Sequence, residues 1–185
     1  QPIVSSGIAL DNQLKEGLKK AEGKNVKAYF SFDLKSNKKV KVKVGISGVS
    51  AENAKMNLDA EIKDFDFVKL RTKSQQEWNK ELGKITIKGG SDDQQTAFYS
   101  ALYHTMVSPN IYTDVNGEYR GTDLKVHKAE NFTNYSVFSL WDTHRAQNPL
   151  QSIINRKRTG DWINTFLVQY KYGGMLPVWE LSGNE

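Results

Sequence analysis

Two stretches near the end of the chain are the most informative: Phe138-Ser-Leu-Trp-Asp-Thr-His-Arg-Ala146 and Gly173-Gly-Met-Leu-Pro-Val-Trp-Glu-Leu-Ser-Gly-Asn-Glu185. Each places a tryptophan directly before a carboxylate, as Trp141-Asp142 and Trp179-Glu180. An indole face can stack on the C–H face of a sugar ring, and a neighbouring carboxylate can accept hydrogen bonds from the sugar hydroxyls. The two stretches therefore predict a carbohydrate-binding site.

Both pairs also have a structural interpretation. In that interpretation Trp141 is a core residue at the start of a helix, and Asp142 caps the first helical turn. Glu180 is then a buried acid that accepts hydrogen bonds from backbone amides of its own loop. The residues alone leave both interpretations open.

The composition of the 185 residues is that of a globular chain, with 38% hydrophobic and 25% charged residues. No apolar run approaches the roughly 18 residues of a membrane-spanning helix, so no membrane span is expected. No basic segment followed by an apolar one opens the chain, so an exported protein would already have lost its leader. Cysteine is absent, which excludes disulfides and thiolate metal sites.

The net charge of +5 is concentrated in a few places. The largest concentration is a set of lysines that alternate with valines rather than with aromatic residues: Lys35, Lys38, Lys39, Lys41 and Lys43. Single-stranded nucleic acid is usually held by basic groups interleaved with aromatic side chains. The pattern instead indicates the solvated face of a strand, and no nucleic-acid partner is expected.

Residues 26–47 alternate between apolar and polar side chains with a period of two. Val26 to Phe32 and Val40 to Ile46 flank a segment with turn residues, Lys35-Ser-Asn-Lys38. This pattern predicts an antiparallel hairpin. One face of the hairpin is apolar, and the first 25 residues offer at most one short strand to cover it. The pattern thus predicts the edge of a larger sheet.

From about residue 53 the apolar spacing becomes three and four, which predicts helices. Asp66 is expected to cap a long polar helix, and Gly89-Gly90 to interrupt the chain. Ser91-Asp-Asp-Gln94 predicts a capping box at the start of another helix. Asp114-Val-Asn-Gly117 predicts a turn in a polar loop.

Two further helices are expected after residue 140. The first is predicted from Trp141–Thr143 to Asn155. The second is predicted to start at a Thr159 cap, with Asp161 at its positive end, and to stop at Gly173-Gly174. The alternation of helices and long loops is typical of a helical barrel or a solenoid, and no fixed repeat chooses between them.

Several blocks of the chain resemble glycoside hydrolase family 92, in the family's order. These blocks are Thr96 to Asn110, Tyr119-Arg-Gly121, Tyr135 to Ala146 and Gly173 to Glu185, and Ser50 to Ile62 and Trp78 to Leu82 resemble the passage before them. The resemblance covers roughly residues 40–185. It implies calcium-dependent, exo-acting α-mannosidases, which are abundant in gut Bacteroidetes.

The family fold implied by this resemblance has three parts. The chain is expected to be an α+β multidomain fragment. Residues 1–52 would form the end of a β-sandwich, residues 53–90 a helical linker, and residues 91–185 the first helices of an (α/α)6 barrel. The remainder of the polypeptide would be needed to complete the sheet and the barrel.

The resemblance also implies the chemistry. Family members invert at the anomeric carbon, with the general acid and base expected downstream of residue 185, so the fragment alone is expected to be inactive. Trp141 and Asp142 match a pair that shapes the mannose subsite. Matches to other family positions add five candidate substrate-binding residues: Arg145, Trp179, Glu180, Asn184 and Glu185. Calcium is implied as a cofactor, but the resemblance assigns it no ligands among these residues.

A second function class is a carbohydrate-binding or scaffold protein that has the same barrel without catalysis. Downstream carboxylates in the later family blocks would distinguish an enzyme from such a protein. For either class, the expected partners are α-mannoside glycans. The resemblance implies a bacterial protein that is periplasmic, secreted or held at the cell surface.

Overall fold

The computed structural model of the chain describes residues 2–34 and 38–184. Within them it contains six helices and three small sheets. The chain divides after Val42 into two compact units. The predicted division at residues 52 and 90 into sandwich, linker and barrel differs from this boundary and stays a prediction.

The first unit is a three-stranded antiparallel sheet. Its strands are β1 (Ile3–Leu10), β2 (Gln13–Glu16) and β3 (Val26–Phe32), in the order β2-β1-β3. Asp11 and Asn12 join the first two strands with φ of 50° and 65°. Positive φ at both central residues is the conformation that suits the twist of a two-residue hairpin, and Asp and Asn tolerate it well.

The predicted hairpin of residues 26–47 is wrong. β3 pairs with β1, and residues 40–46 form no strand. Lys43 and Ile46, in the second unit, instead hydrogen-bond to the helical segment around residues 57–62. Lys43 Nζ donates to Ile62 O (3.0 Å), and Asn57 Nδ2 donates to Ile46 O (3.0 Å). Val42, Val44 and Ile46 are exposed. The turn predicted at Lys35-Ser36-Asn37 lies outside the described residues.

Three capped helices open the second unit. They are α1 (Ala51–Glu61), α2 (Phe67–Leu82) and α3 (Asp92–Val107). The Asp66 side chain accepts from Lys69 N, and the Ser91–Gln94 capping box has both of its hydrogen bonds. These two predictions are confirmed, as is the break at Gly89-Gly90, where φ is 84° and 75°.

Four short strands occupy the segment that the sequence indicated as a polar loop. They are β4 (Asn110–Ile111), β5 (Glu118–Arg120), β6 (Val126–Lys128) and β7 (Tyr135–Ser136), paired as β4-β7 and β5-β6. The predicted turn is confirmed, since Gly117 N donates to Asp114 O (2.9 Å). Strands of two or three residues are too short to show a period of two.

A buried polar network holds this turn against α1. Asn53 Nδ2 donates to Asp114 Oδ2 (2.8 Å) and to Glu118 Oε2 (2.8 Å), and Asn57 Nδ2 donates to Asp114 Oδ1 (2.6 Å). Ser47 Oγ adds a further hydrogen bond to Asp114 Oδ2 (2.6 Å). Because the buried Asp114 carboxylate accepts three hydrogen bonds, its desolvation is offset.

The single helix predicted over residues 141–155 is wrong. The structure has two helices there, α4 (Leu140–Thr143) and α5 (Gln147–Ile154). The physical reason is Pro149, which lacks an N–H and would clash with the carbonyl four residues earlier in a continuous helix. The restart at Gln147 places Pro149 in the first turn, where its missing donor is not needed.

The last helix, α6 (Arg156–Gly173), begins three residues before the predicted cap. Asn155 precedes it without a side-chain cap, and Thr159 Oγ1 donates to Asn155 O (3.2 Å) from within the first turn. The Thr159 cap is therefore wrong. Asp161 lies in the second turn and accepts from Lys157 Nζ (3.1 Å). The predicted end is confirmed by Gly174, with φ of 82°.

The core of the second unit is aromatic. Trp162 on α6 makes edge-to-face contacts with Tyr135 (ring centroids 6.2 Å apart) and with Phe138 (6.4 Å). Leu140 and Phe166 pack against this cluster. The segment that leads into Trp141-Asp142 is thereby anchored on α6 through Tyr135 and Phe138.

Candidate functional site

The two tryptophan–carboxylate stretches lie side by side in the structure. Phe138 N donates to Glu180 O (2.9 Å), and Leu140 N donates to Val178 O (2.9 Å). These hydrogen bonds join two segments that are some forty residues apart in the sequence. Trp141-Asp142 therefore follows directly after a segment that is bonded to the residues around Trp179.

Both tryptophans of these stretches present their rings to solvent. The exposed fraction is 60% for Trp141 and 58% for Trp179, compared with 4% for the core residue Trp162. Trp141 is thus not in the core of the described chain. Exposed indole faces cost free energy in water, and they are suited to stacking on a ligand.

Asp142 is exposed, beside Trp141 in the short helix α4. Its Oδ2 accepts a hydrogen bond from Ser139 Oγ at 2.5 Å, and its own N–H donates to Ser139 O (3.2 Å). No backbone N–H is capped by a side chain at the start of α4. The Asp142 carboxylate is therefore oriented by a serine hydroxyl rather than used as a helix cap.

Glu180 is enclosed by protein, with an exposed fraction of 1%. Its Oε1 accepts from Gly183 N and from Ser136 Oγ (3.2 Å), whereas Oε2 has no hydrogen-bond partner among the described residues. Burial raises the pKa of the Glu180 carboxyl, against the polar groups of Gly183, Ser136, Val137 and Gln169 that lower it. The structure thus shows Glu180 as the buried, loop-holding acid of the alternative interpretation; a direct substrate contact stays untested.

The loop that follows Glu180 is a tight turn. Ser182 and Gly183 have φ of 54° and 79°, and Leu181 and Asn184 exchange backbone hydrogen bonds of 2.8 and 3.1 Å. Asn184 is exposed at the end of this turn, and Arg145 is exposed after α4. Glu185 lies outside the described residues.

Gly183 offers a test of how tightly this turn is packed. A Cβ at Gly183 would lie 3.1 Å from Arg120 O, whereas a Cβ at Gly174, with nearly the same φ, would meet nothing within 4 Å. Gly174→Ala should lower the unfolding free energy by about 1 kcal/mol, because an alanine is strained in the left-handed backbone conformation even where it has space. Gly183→Ala should cost about 2–3 kcal/mol, since packing strain is added. Urea unfolding of both variants measures the difference; equal losses would contradict the close packing.

The candidate residues do not line the large cavity of the described chain. That cavity, of about 1070 Å³, is lined by residues of α1, α2, α3, α5 and α6 and by segments 44–48, 109–114 and 135–137, and none of the predicted site residues that the structure describes borders it. Glu180 borders a small cavity of about 10 Å³, which Gln169 and Tyr112 also line. The predicted binding residues that the structure describes are therefore exposed, apart from the buried Glu180: Trp141, Asp142, Arg145, Trp179 and Asn184.

The structure also reveals contributors that sequence reasoning missed. Ser136 Oγ accepts from Ser182 N (2.6 Å) while it donates to Glu180, and Tyr112 Oη donates to Ser182 O (3.0 Å). Both residues lie in or next to the two-residue strands β4 and β7. Their only sequence signal was the position of Ser136 within a block that resembles the family.

Comparison with known proteins identifies the family. Residues 53–185 match the glycosyl hydrolase family 92 catalytic domain. A family GH92 α-mannosidase from Bacteroides thetaiotaomicron has a similar structure, with a TM-score of 0.81 and 34% identity over 99% of this chain and 26% of that one. An inverting GH92 mannosidase from Bacteroides thetaiotaomicron VPI-5482 gives a TM-score of 0.79 and 26% identity over 100% of this chain and 25% of that one.

A curated relative is an uncharacterized secreted glycosidase from Arthroderma benhamiae, 38% identical over 125 residues, which are 64% of this chain and 15% of that protein. These matches place the chain among the glycoside hydrolases. The chain belongs to glycoside hydrolase family 92. It spans about a quarter or less of the length of the relatives it matches.

Proposed function

We propose that the full-length protein is an exo-acting α-mannosidase that removes α-linked mannose from glycans. The observation that carries this proposal is the pair of exposed tryptophans that the hydrogen bonds between residues 138–140 and 178–180 bring into neighbouring segments of a family 92 chain. The similarity to a GH92 α-mannosidase, at 34% identity, supports mannose as the sugar.

The roles of the binding residues follow from their chemistry. The Trp141 ring stacks on the sugar, and the Asp142 carboxylate accepts hydrogen bonds from the hydroxyls, oriented by Ser139. Trp179 supplies a second aromatic face. Arg145 and Asn184 are exposed polar residues that follow Trp141 and Trp179, respectively, within a few positions in the sequence. The Asp142 carboxylate is a stronger acceptor than a neutral amide would be, because hydrogen bonds to charged groups are about twice as strong as neutral ones.

We further propose that hydrolysis proceeds with inversion. Support comes from the similar structure described as an inverting mannosidase. Inversion needs a general acid and a general base about 6.5–9.5 Å apart, with room for a water molecule between the base and the sugar. We assign neither role to a residue of this chain, and place both in the part of the family fold that the chain does not span.

Calcium dependence is also proposed, on the basis of the family resemblance. Calcium takes six to eight oxygen ligands, usually with several carboxylates. Among residues 2–34 and 38–184, no cluster of three or more Asp, Glu, His or Cys side chains could hold a metal ion. None of the roles given above depends on the ion.

An exported location fits this proposal. The curated relative from Arthroderma benhamiae is a secreted glycosidase. In the described part of the chain, no helix is long and apolar enough to cross a membrane. We propose that the natural partners are α-mannoside glycans outside the cytoplasm, and that the rest of the polypeptide completes the binding site.

The activity can be tested with 4-nitrophenyl α-mannoside and mannobiose. We expect the full-length protein to hydrolyse both, and to lose turnover on chelation until calcium is restored. The 185-residue chain alone should show no turnover, because each missing proton-transfer group removes about 10²–10⁴-fold. Turnover that resists chelation would contradict the calcium requirement. Binding of mannose by the full-length protein without hydrolysis would instead support a binding protein with this fold.

A further inference from the structure

Glu180 is joined both to its own turn and to the 135–140 segment of the second unit. Its side chain accepts from Gly183 N and Ser136 Oγ, and its backbone carbonyl accepts from Phe138 N. The turn at Ser182 is held by Ser136 Oγ and by Tyr112 Oη. The Glu180 carboxylate is therefore one of the ties between the 178–184 segment and the 135–140 segment, beside two backbone hydrogen bonds and the hydrogen bond from Ser182 N to Ser136 Oγ.

These two segments carry the exposed groups of the candidate site. Trp179 directly precedes Glu180, and Trp141-Asp142 directly follows Leu140, whose N–H donates to Val178 O. Each tryptophan is carried by one of the two hydrogen-bonded segments, and both residues are more than half exposed. Their relative placement depends on the backbone that carries them.

We propose that Glu180 is a positioning residue: its buried carboxylate fixes the 178–184 turn on Ser136 and thereby holds Trp179 beside the Trp141-Asp142 segment in the geometry that binds the sugar. Glu180 acts without touching the substrate. For its kinetic consequences this inference rests on the proposed α-mannosidase function; the structural coupling between the two segments does not depend on it.

The geometry distinguishes this role from direct contact with substrate. Glu180→Gln keeps Oε1 as an acceptor for Gly183 and Ser136. It also replaces Oε2, which accepts no hydrogen bond of normal geometry among the described residues, with an NH₂ group; Gln169, whose Oε1 has no partner there either, lines the same small cavity. A positioning role therefore tolerates the amide, whereas a carboxylate that binds or protonates substrate does not. Glu180→Ala removes the acceptor and should release the turn.

The experiment compares Glu180→Ala, Glu180→Gln and Ser136→Ala in the full-length protein, with Glu130→Gln as a control at an exposed glutamate. On 4-nitrophenyl α-mannoside we expect Glu180→Ala to raise KM about tenfold or more with a smaller change in kcat. Such a split is the sign of lost binding groups rather than lost chemistry. Glu180→Gln should recover most of the loss, and Ser136→Ala should raise KM by about threefold to tenfold.

Hydrogen exchange gives a readout that does not require activity. In Glu180→Ala the amides of residues 138–142 and 178–184 should exchange about tenfold faster than in the wild type, because local opening exposes the bonded N–H groups. Glu180→Gln and Glu130→Gln should leave both segments protected. If the wild type hydrolyses no mannoside, the proposed function fails, and the exchange data still decide the coupling.

Two results would overturn the proposal. One is a loss of about 100-fold or more in kcat/KM for Glu180→Gln with unchanged exchange, which would make the carboxylate a direct participant. The other is a Glu180→Ala protein with wild-type KM and wild-type exchange. Should Glu180→Ala fail to fold, Ser136→Ala and Glu180→Gln decide in its place. The proposal then requires faster exchange of residues 178–184 in Ser136→Ala, and protection with most activity in Glu180→Gln.

Discussion

Asp142→Asn in the full-length protein should lower kcat/KM for an α-mannoside by tenfold or more and leave the melting temperature close to that of the wild type. The amide keeps the size of the side chain and can still accept from Ser139 Oγ, so the local structure is retained. It removes the charge, and with it about half of the strength of each hydrogen bond to a sugar hydroxyl. Tenfold corresponds to about 1.4 kcal/mol of transition-state binding.

The loss should appear in kcat as well as in KM, because bonds to the sugar that tighten as the ring flattens contribute more in the transition state than in the ground state. The control is Ser139→Ala, which removes the orienting hydroxyl and keeps the charge; it should cost several-fold less. A protein that melts early but turns over normally while folded would show that Asp142 only stabilises α4.

Trp162→Ala should have the largest effect on stability, about 3–5 kcal/mol of unfolding free energy. The ring is 4% exposed and lies edge-on to Tyr135 and Phe138, so its removal leaves a void in the aromatic core. Trp162→Phe keeps an aromatic ring and removes an indole N–H that has no partner among the described residues, so it should lose much less.

Trp141→Ala is the matched control for Trp162→Ala, since it deletes the same side chain at an exposed position. We expect a change in unfolding free energy of about 0.5 kcal/mol or less, with a marked rise in KM through the lost stacking face. Urea unfolding and steady-state kinetics of the two variants measure both quantities. Equal destabilisation by the two substitutions would contradict the assignment of one tryptophan to the core and the other to a binding surface.

Local chemistry determined the helix ends that the sequence predicted correctly. Asp66 and the Ser91–Gln94 pair satisfy N–H groups within three residues of themselves, and Gly174 needs only its own backbone freedom. The family was also evident from the sequence, because its blocks are contiguous strings of residues. The prediction of a single helix over residues 141–155 was wrong for a reason that is also local. Pro149 itself requires the helix to restart shortly before it.

Strand pairing and the state of the site residues were decided only by the tertiary structure. A period of two indicates a strand but not its partner: β3 pairs with β1, and residues 40–46 form no strand. Residue type alone would bury both Trp141 and Trp162 and expose Glu180, whereas Trp141 is exposed and Glu180 is buried. Their exposure depends on hydrogen bonds and packing between segments some twenty to forty residues apart, which no local pattern encodes.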